Sequence, residues 1–137
     1  MEGIQMKKSL AFLMIIVVMS FGSSALAASD PLYPFEVKIN GEAAVKTDVT
    51  TLFAEVKSAV PADASIEVAG EGQVIINVFA ADASGNPATG ASPEILLFEA
   101  PNGALDKLLS GSKLKAGKYH ANIIANGATA KVVFTVK

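Results

Sequence analysis

The sequence predicts an all-β domain, an antiparallel β-sandwich of about seven strands preceded by a signal peptide. Three observations carry this. Short apolar–polar alternations recur between residues 35 and 136, separated by clusters of Gly, Asn and Pro. Two Asn-Gly pairs, Asn40-Gly41 and Asn126-Gly127, sit between such runs, where a two-residue hairpin turn belongs. No long helical period is visible once the first 27 residues are passed.

Those first residues read as an address. Lys7 and Lys8 precede the apolar run Leu10–Met19, extended by Phe21, and the small residues Gly22-Ser23-Ser24 lead into Ala25-Leu26-Ala27. A charged start, a short apolar centre and an A-x-A site make up a secretory signal peptide. The apolar run is short for a membrane span, which needs about 20 residues. No cysteine follows it, which excludes a lipoprotein. Met6 is an alternative start to Met1. Cleavage after Ala27 leaves one domain, 28–137, exported to the periplasm or the exterior, with no membrane span.

The composition excludes much chemistry. Of the 137 residues 51% are apolar and 18% charged, too apolar for a disordered chain. Cysteine is absent, so there are no disulfides, thiolate metal sites or cysteine nucleophiles. All 11 basic residues are lysines, so no guanidinium fork can clasp a phosphate. Cleavage removes Lys7, Lys8, Glu2 and all four methionines, leaving nine lysines against twelve acids. A net charge near −3 does not suit a nucleic-acid binder. His120 is the one histidine, which rules out a multi-histidine metal site within one chain. No cofactor is expected.

The elements follow in order. Ala28–Pro34 reads as an extended arm with Pro31 and Pro34. Phe35, Val37 and Ile39 alternate with Glu36 and Lys38, Asn40-Gly41 turns the chain, and Glu42–Lys46 returns. Residues 49–60 fit either of two periods. Val49, Leu52, Phe53, Val56 and Val60 have helical spacing between Asp48 and Pro61, yet Leu52, Ala54 and Val56 alternate as in a strand. The strand reading, Thr51–Ser58, matches its surroundings. Ile66–Val68 and Val74–Ala80 are strands joined by a Gly70-Glu71-Gly72 hairpin turn, and the second, apolar on both faces, is central. Asp82–Ser92 is a long loop, and Glu94–Ala100 is a strand closed by Pro101-Asn102-Gly103. Leu105, Leu108 and Leu109 mark one helical turn or an edge strand. Lys118–Ala125 and Ala128–Val136 flank Asn126-Gly127, a type I′ turn that fixes the register. Ala125 then faces Ala128, Ile123 faces Ala130, Ala121 faces Val132, and Tyr119 faces Phe134. Tyr119, Ala121, Ile123, Val132, Phe134 and Val136 form the core face. His120, Asn122, Thr129 and Lys131, with Ile124 and Val133, form the other.

One stretch carries a resemblance. Leu114-Lys115-Ala116-Gly117-Lys118-Tyr119 is similar to the L-x-x-G-x-Y pattern before a late strand in immunoglobulin-like, fibronectin-III-like and carboxypeptidase-regulatory-like modules. The resemblance covers roughly Ser65–Lys137. It implies an Ig-like sandwich in which Leu114, Gly117 and Tyr119 build a tyrosine corner, the hydroxyl bonding to backbone upstream. The Cys…Trp…Cys signature of immunoglobulin domains is absent, and no function travels with the resemblance.

Candidate chemistry is thin. A Ser-His-Asp triad would have to use His120, which the register places on the solvated outer face without a nucleophile motif nearby. Glu67 with Glu71, and Glu94 with Glu99, could pair as glycosidase carboxylates, but read better as solvated strand-end charges. Asp82, Ser84 and Asn86 alternate like calcium ligands, but Pro93 stands where the distal glutamate is needed, so Asx-type turn formers are the better reading. Phe35, Phe53, Phe79, Phe98 and Phe134 fit core positions rather than base-stacking ones. The expected function is that of a non-enzymatic, monomeric module binding a protein or cell-surface partner. The alternative is a subunit of a surface fibre or layer that donates Phe35–Ile39 to a neighbour.

Overall fold

Alternation and turn chemistry set the local structure, and burial of the alternating faces assembles it. A computed structural model describes residues 31–46, 50–99 and 102–137. The leader, its A-x-A site and residues 28–30 of the arm lie outside the described residues. Nine strands occur among those described: β1 (Val37–Ile39), β2 (Glu42–Ala43), β3 (Ala54–Glu55), β4 (Ser65–Val68), β5 (Val74–Ala80), β6 (Glu94–Phe98), β7 (Asn102–Ala104), β8 (Gly117–Ala125) and β9 (Ala128–Val136). No helix occurs among them. They form two sheets, ordered β2-β1-β4-β7 and β3-β9-β8-β5-β6.

The two sheets close on one core. Val37, Ile39, Ile66 and Val68 face it from the four-stranded sheet. Val74, Ile76, Val78, Leu96, Ala121, Ile123, Val132 and Phe134 face it from the other. The β8–β9 hairpin has the register that its turn dictates, with Ala125 opposite Ala128 and Tyr119 opposite Phe134. Asn126 and Gly127 both have positive φ, 53° and 74°, as a type I′ turn requires. Asn40 and Gly41 repeat this at 57° and 82°, and β1 pairs with β2.

Several expectations change. The segment 51–58 is neither a helix nor a full strand; only Ala54–Glu55 is strand, and it runs parallel to β9. Val56 N and Val60 N donate to Val133 O and Thr135 O, so the chain follows β9 to its end. The sandwich is therefore not purely antiparallel. Gly70-Glu71-Gly72 is not a hairpin turn, because β4 pairs with β1 and β7 while β5 belongs to the other sheet. The chain crosses between sheets there. Asn102–Gly103, expected to close a strand, belongs to β7. Residues 105–109 form neither a helix nor an edge strand but a turn whose Leu105 and Leu108 plug the side of the core. The first tyrosine also does more than the arm reading implied. Tyr33 is buried, and its hydroxyl accepts from Val37 N at 2.9 Å and donates to Ala44 O at 3.0 Å, tying the arm across the β1–β2 hairpin.

Candidate functional site: the outer face of the five-stranded sheet

The outward faces of the two sheets differ in chemistry. The four-stranded sheet turns Lys38, Ser65 and Glu67 to solvent. Beside them lies a shallow dish of about 140 Å³ lined by Glu36, Lys38, Glu67, Val68, Ala69 and Asn102. Hydrated charge on a sheet face is the ordinary solution for a surface. The five-stranded sheet does not follow it.

Register sorts its outward side chains into rows that cross the strands. The first row is Leu97, Ile75, Ile124 and Thr129 on β6, β5, β8 and β9. The second is Ile95, Asn77, Asn122 and Lys131. The third is Phe79, His120 and Val133, with Glu55 of β3 beside Val133.

The third row is roofed by the chain itself. Phe53 meets the His120 ring edge-on, centroids 5.9 Å apart and planes at 85°. The carbonyl of Gly85 lies 2.8 Å from His120 Nδ1, so Nδ1 carries the proton and donates to it. His120 is thus 3% exposed, not the solvated strand histidine that alternation suggests. Phe53 in this roof and Phe79 in the third row are likewise outside the core and half-buried, whereas Phe35, Phe98 and Phe134 do face the core. Gly85 makes the roof possible. Its φ is +90°, and a Cβ built there would lie 2.6 Å from the Phe53 ring. The loop that carries it is organised by Asp82, whose Oδ1 accepts from Ser84 N at 2.9 Å and Asn86 N at 3.0 Å. That is an Asx-type turn, with the carboxylate spent on its own loop.

Among the described residues the first two rows have no such cover. Ile95, Leu97 and Ile124 are 36%, 41% and 40% exposed, and Ile75 between them is half-buried. Together they form a continuous aliphatic band across β6, β5 and β8. Leu109, more exposed still, adjoins it, since its N–H donates to Ile95 O at the sheet edge. Such a patch exposes on the order of 300 Å², within the range of the largest patches on soluble monomers, which are often functional. Charge marks both ends. Glu99 lies one residue past β6 and meets Gln73 Nε2 at 3.5 Å. At the far side Lys131 Nζ reaches Asn122 Oδ1, also at 3.5 Å.

The corner residues lie elsewhere. Tyr119 Oη donates to Lys115 O at 2.7 Å, and its ring stacks on Phe134 with centroids 5.7 Å apart. The ring is half-buried, not fully enclosed; Leu114 is buried, and Gly117 opens β8 at φ 151°. A cleft of about 290 Å³ opens beside it, with Val78, Ala80 and Leu114 below and Glu94, Lys113 and Lys115 at the rim. Asn126, besides forming its turn, donates from Nδ2 to Ala69 O at 2.7 Å and so binds the hairpin tip to the β4–β5 crossover.

The sequence places His120, Asn122, Thr129 and Lys131 on one face with Ile124 and Val133, but does not by itself join Ile124 to Ile75, Ile95 and Leu97. Their signal was present: β5 is apolar on both faces, and Ile95-Leu96-Leu97-Phe98 has no polar alternate. Among the described residues no cluster of three His, Asp or Glu side chains could hold a metal ion, and no helix is long and apolar enough to cross a membrane. No protein-family model, no curated protein and no solved structure matches the chain.

Proposed function

We propose that the chain is an exported, non-enzymatic β-sandwich module of Ig-like type that docks another macromolecule on the outer face of its five-stranded sheet. The exposed band Leu97–Ile75–Ile124 with Ile95 carries this reading, because a soluble domain otherwise pairs, covers or charges such a surface. Export rests on the leader pattern, and the Ig-like assignment on the corner formed by Tyr119 and Lys115. Catalysis has no part in the reading: the single imidazole is roofed by Phe53 and engaged by Gly85. Donation of Phe35–Ile39 to a neighbour gains no support, since β1 pairs on both sides within its own chain, with β2 and β4.

The test is capture from an envelope extract by immobilised residues 28–137, compared with the Leu97→Lys/Ile124→Lys variant. Both changes lie on an exposed face and should leave the unfolding midpoint nearly unchanged. A partner kept by the wild-type chain and lost by the variant supports the reading. Equal retention by a variant that is folded refutes it.

A further inference from the structure

Resting on the reading of the band as a docking surface, we infer that one occupant is a second copy of this chain, packed face to face in a two-fold dimer. Charge is placed symmetrically around the apolar centre. Glu99 and Lys131 stand at opposite corners of the open face. Lys131 is three strands from β6, and Glu99 is four residues from Ile95, which shares the row of Lys131. With strands about 4.8 Å apart and residues about 3.4 Å apart, the two corners are separated by about 14 Å in each direction. The centre of that square falls between Ile75 and Ile124.

A two-fold axis lying in the plane of the face, through that centre and toward Ile95, exchanges the two corners. Each Glu99 then meets Lys131 of the other copy, twice over, while the aliphatic rows pack against each other between them. A two-fold interface must be self-complementary, and an acid and a base equidistant from an apolar centre satisfy that condition. The same operation crosses the two sheets near the perpendicular, one of the two angles at which sheets pack face to face. The roof of Phe53 and residues 82–88 borders the second row and confines the mate to the first two. Both the apolar area and the confined footprint fall short of the roughly 800 Å² per partner of a stable complex, so the dimer is weak and concentration-dependent.

Sedimentation velocity of residues 28–137 between about 1 µM and about 1 mM tests this by mass action. A monomer at the low end passing to a dimer at the high end is expected. Glu99→Lys alone and Lys131→Glu alone should each weaken association about tenfold, because every dimer contains the pair twice. Glu99→Lys combined with Lys131→Glu should restore it, which no merely structural role for either residue would produce. Leu97→Lys/Ile124→Lys should abolish the dimer. A protein that remains monomeric throughout, or a dimer indifferent to these changes, overturns the second copy as occupant. Capture of an envelope partner through Leu97 and Ile124 would then still stand by itself, and failure of both experiments would remove the band as a docking surface.

Discussion

Removing a single oxygen from Tyr33 should destabilise the fold more than removing the equivalent oxygen from Tyr119, although the latter completes the recognisable motif. In Tyr33→Phe two main-chain groups lose their partner: Val37 N–H, at 2.9 Å, and Ala44 C=O, at 3.0 Å. Both residues are buried, Val37 completely, so water cannot replace the hydroxyl without opening the hairpin. A net hydrogen bond contributes about 0.5–1.5 kcal/mol, and an orphaned buried group costs about 1–3 kcal/mol, so the loss should come to about 3 kcal/mol. In Tyr119→Phe the orphaned group is Lys115 C=O on an exposed loop residue, which water can reach, and the ring keeps its stack on Phe134. That change should cost about 1 kcal/mol or less. Urea unfolding monitored by circular dichroism separates them, since 3 kcal/mol at a slope near 1.5 kcal/mol/M moves the midpoint by about 2 M. Equal midpoints for the two variants, or a larger loss at Tyr119, would refute the claim that burial of the orphaned groups decides the cost.

Tyr119→Ala should cost about 2–4 kcal/mol by removing the ring that packs on Phe134, somewhat less than for a fully buried aromatic because this one is half-buried; calorimetry reads it. Gly85→Ala should displace Phe53 and cost about 1–3 kcal/mol, and it should speed acylation of the single imidazole by diethyl pyrocarbonate, a readout that stability alone does not give. Burial pushes the Tyr33 hydroxyl above its usual value of 10, with the Val37 hydrogen bond opposing and the Glu36 charge adding to the rise. A phenol whose folded value is raised contributes stability below its unfolded value and loses it as pH climbs through the folded one, so this part of the alkaline limb, above pH about 10, should vanish in Tyr33→Phe while the lysine part persists. Glu42 shows the opposite sign: its Ser58 side-chain hydrogen bond and the main-chain donors of Ser58 and Lys57 lower it, so its support fades as pH falls below the usual carboxylate range, and Glu42→Gln should flatten that step in an acid titration of the unfolding midpoint.

What was legible in the sequence was whatever local chemistry decides. Asn126-Gly127 demands one turn type, that turn demands one register, and every pair it implied is found from Ala125–Ala128 to Tyr119–Phe134. The hydrogen bond from Tyr119 Oη to Lys115 O is equally local, spanning four residues. What escaped depends on partners far away in the chain. Nothing near Phe53 says that it will lie over His120, and nothing near His120 announces the Gly85 carbonyl 35 residues earlier. Period-2 alternation sorts side chains into two faces but cannot say that the second face will be partly roofed. That is why His120 read as solvated and why Ile124, placed on the outer face, was not joined with Ile75 and Leu97 into one band. Residues 51–58 carried two periods at once, and the choice between them was made by the main chain of β9.

That dependence on β9 has a kinetic side. The last strand of the chain bonds to Ala54–Glu55, to Val60 and, through Lys131 N, to Leu32 O. Segments from the beginning of the domain thus take their place only against its end. Ordering such distant pairings requires closing long loops before any contact repays them, which places folding toward the slow range of milliseconds to seconds typical of β-sandwiches. A nascent chain lacking residues 128–137 has no strand for the 54–60 segment to follow and no complete five-stranded sheet. Closure of the five-stranded sheet is thereby timed by topology: the 54–60 segment and the strand it follows are separated by about 75 residues of chain, and the sheet is complete only once residues 128–137 are in place.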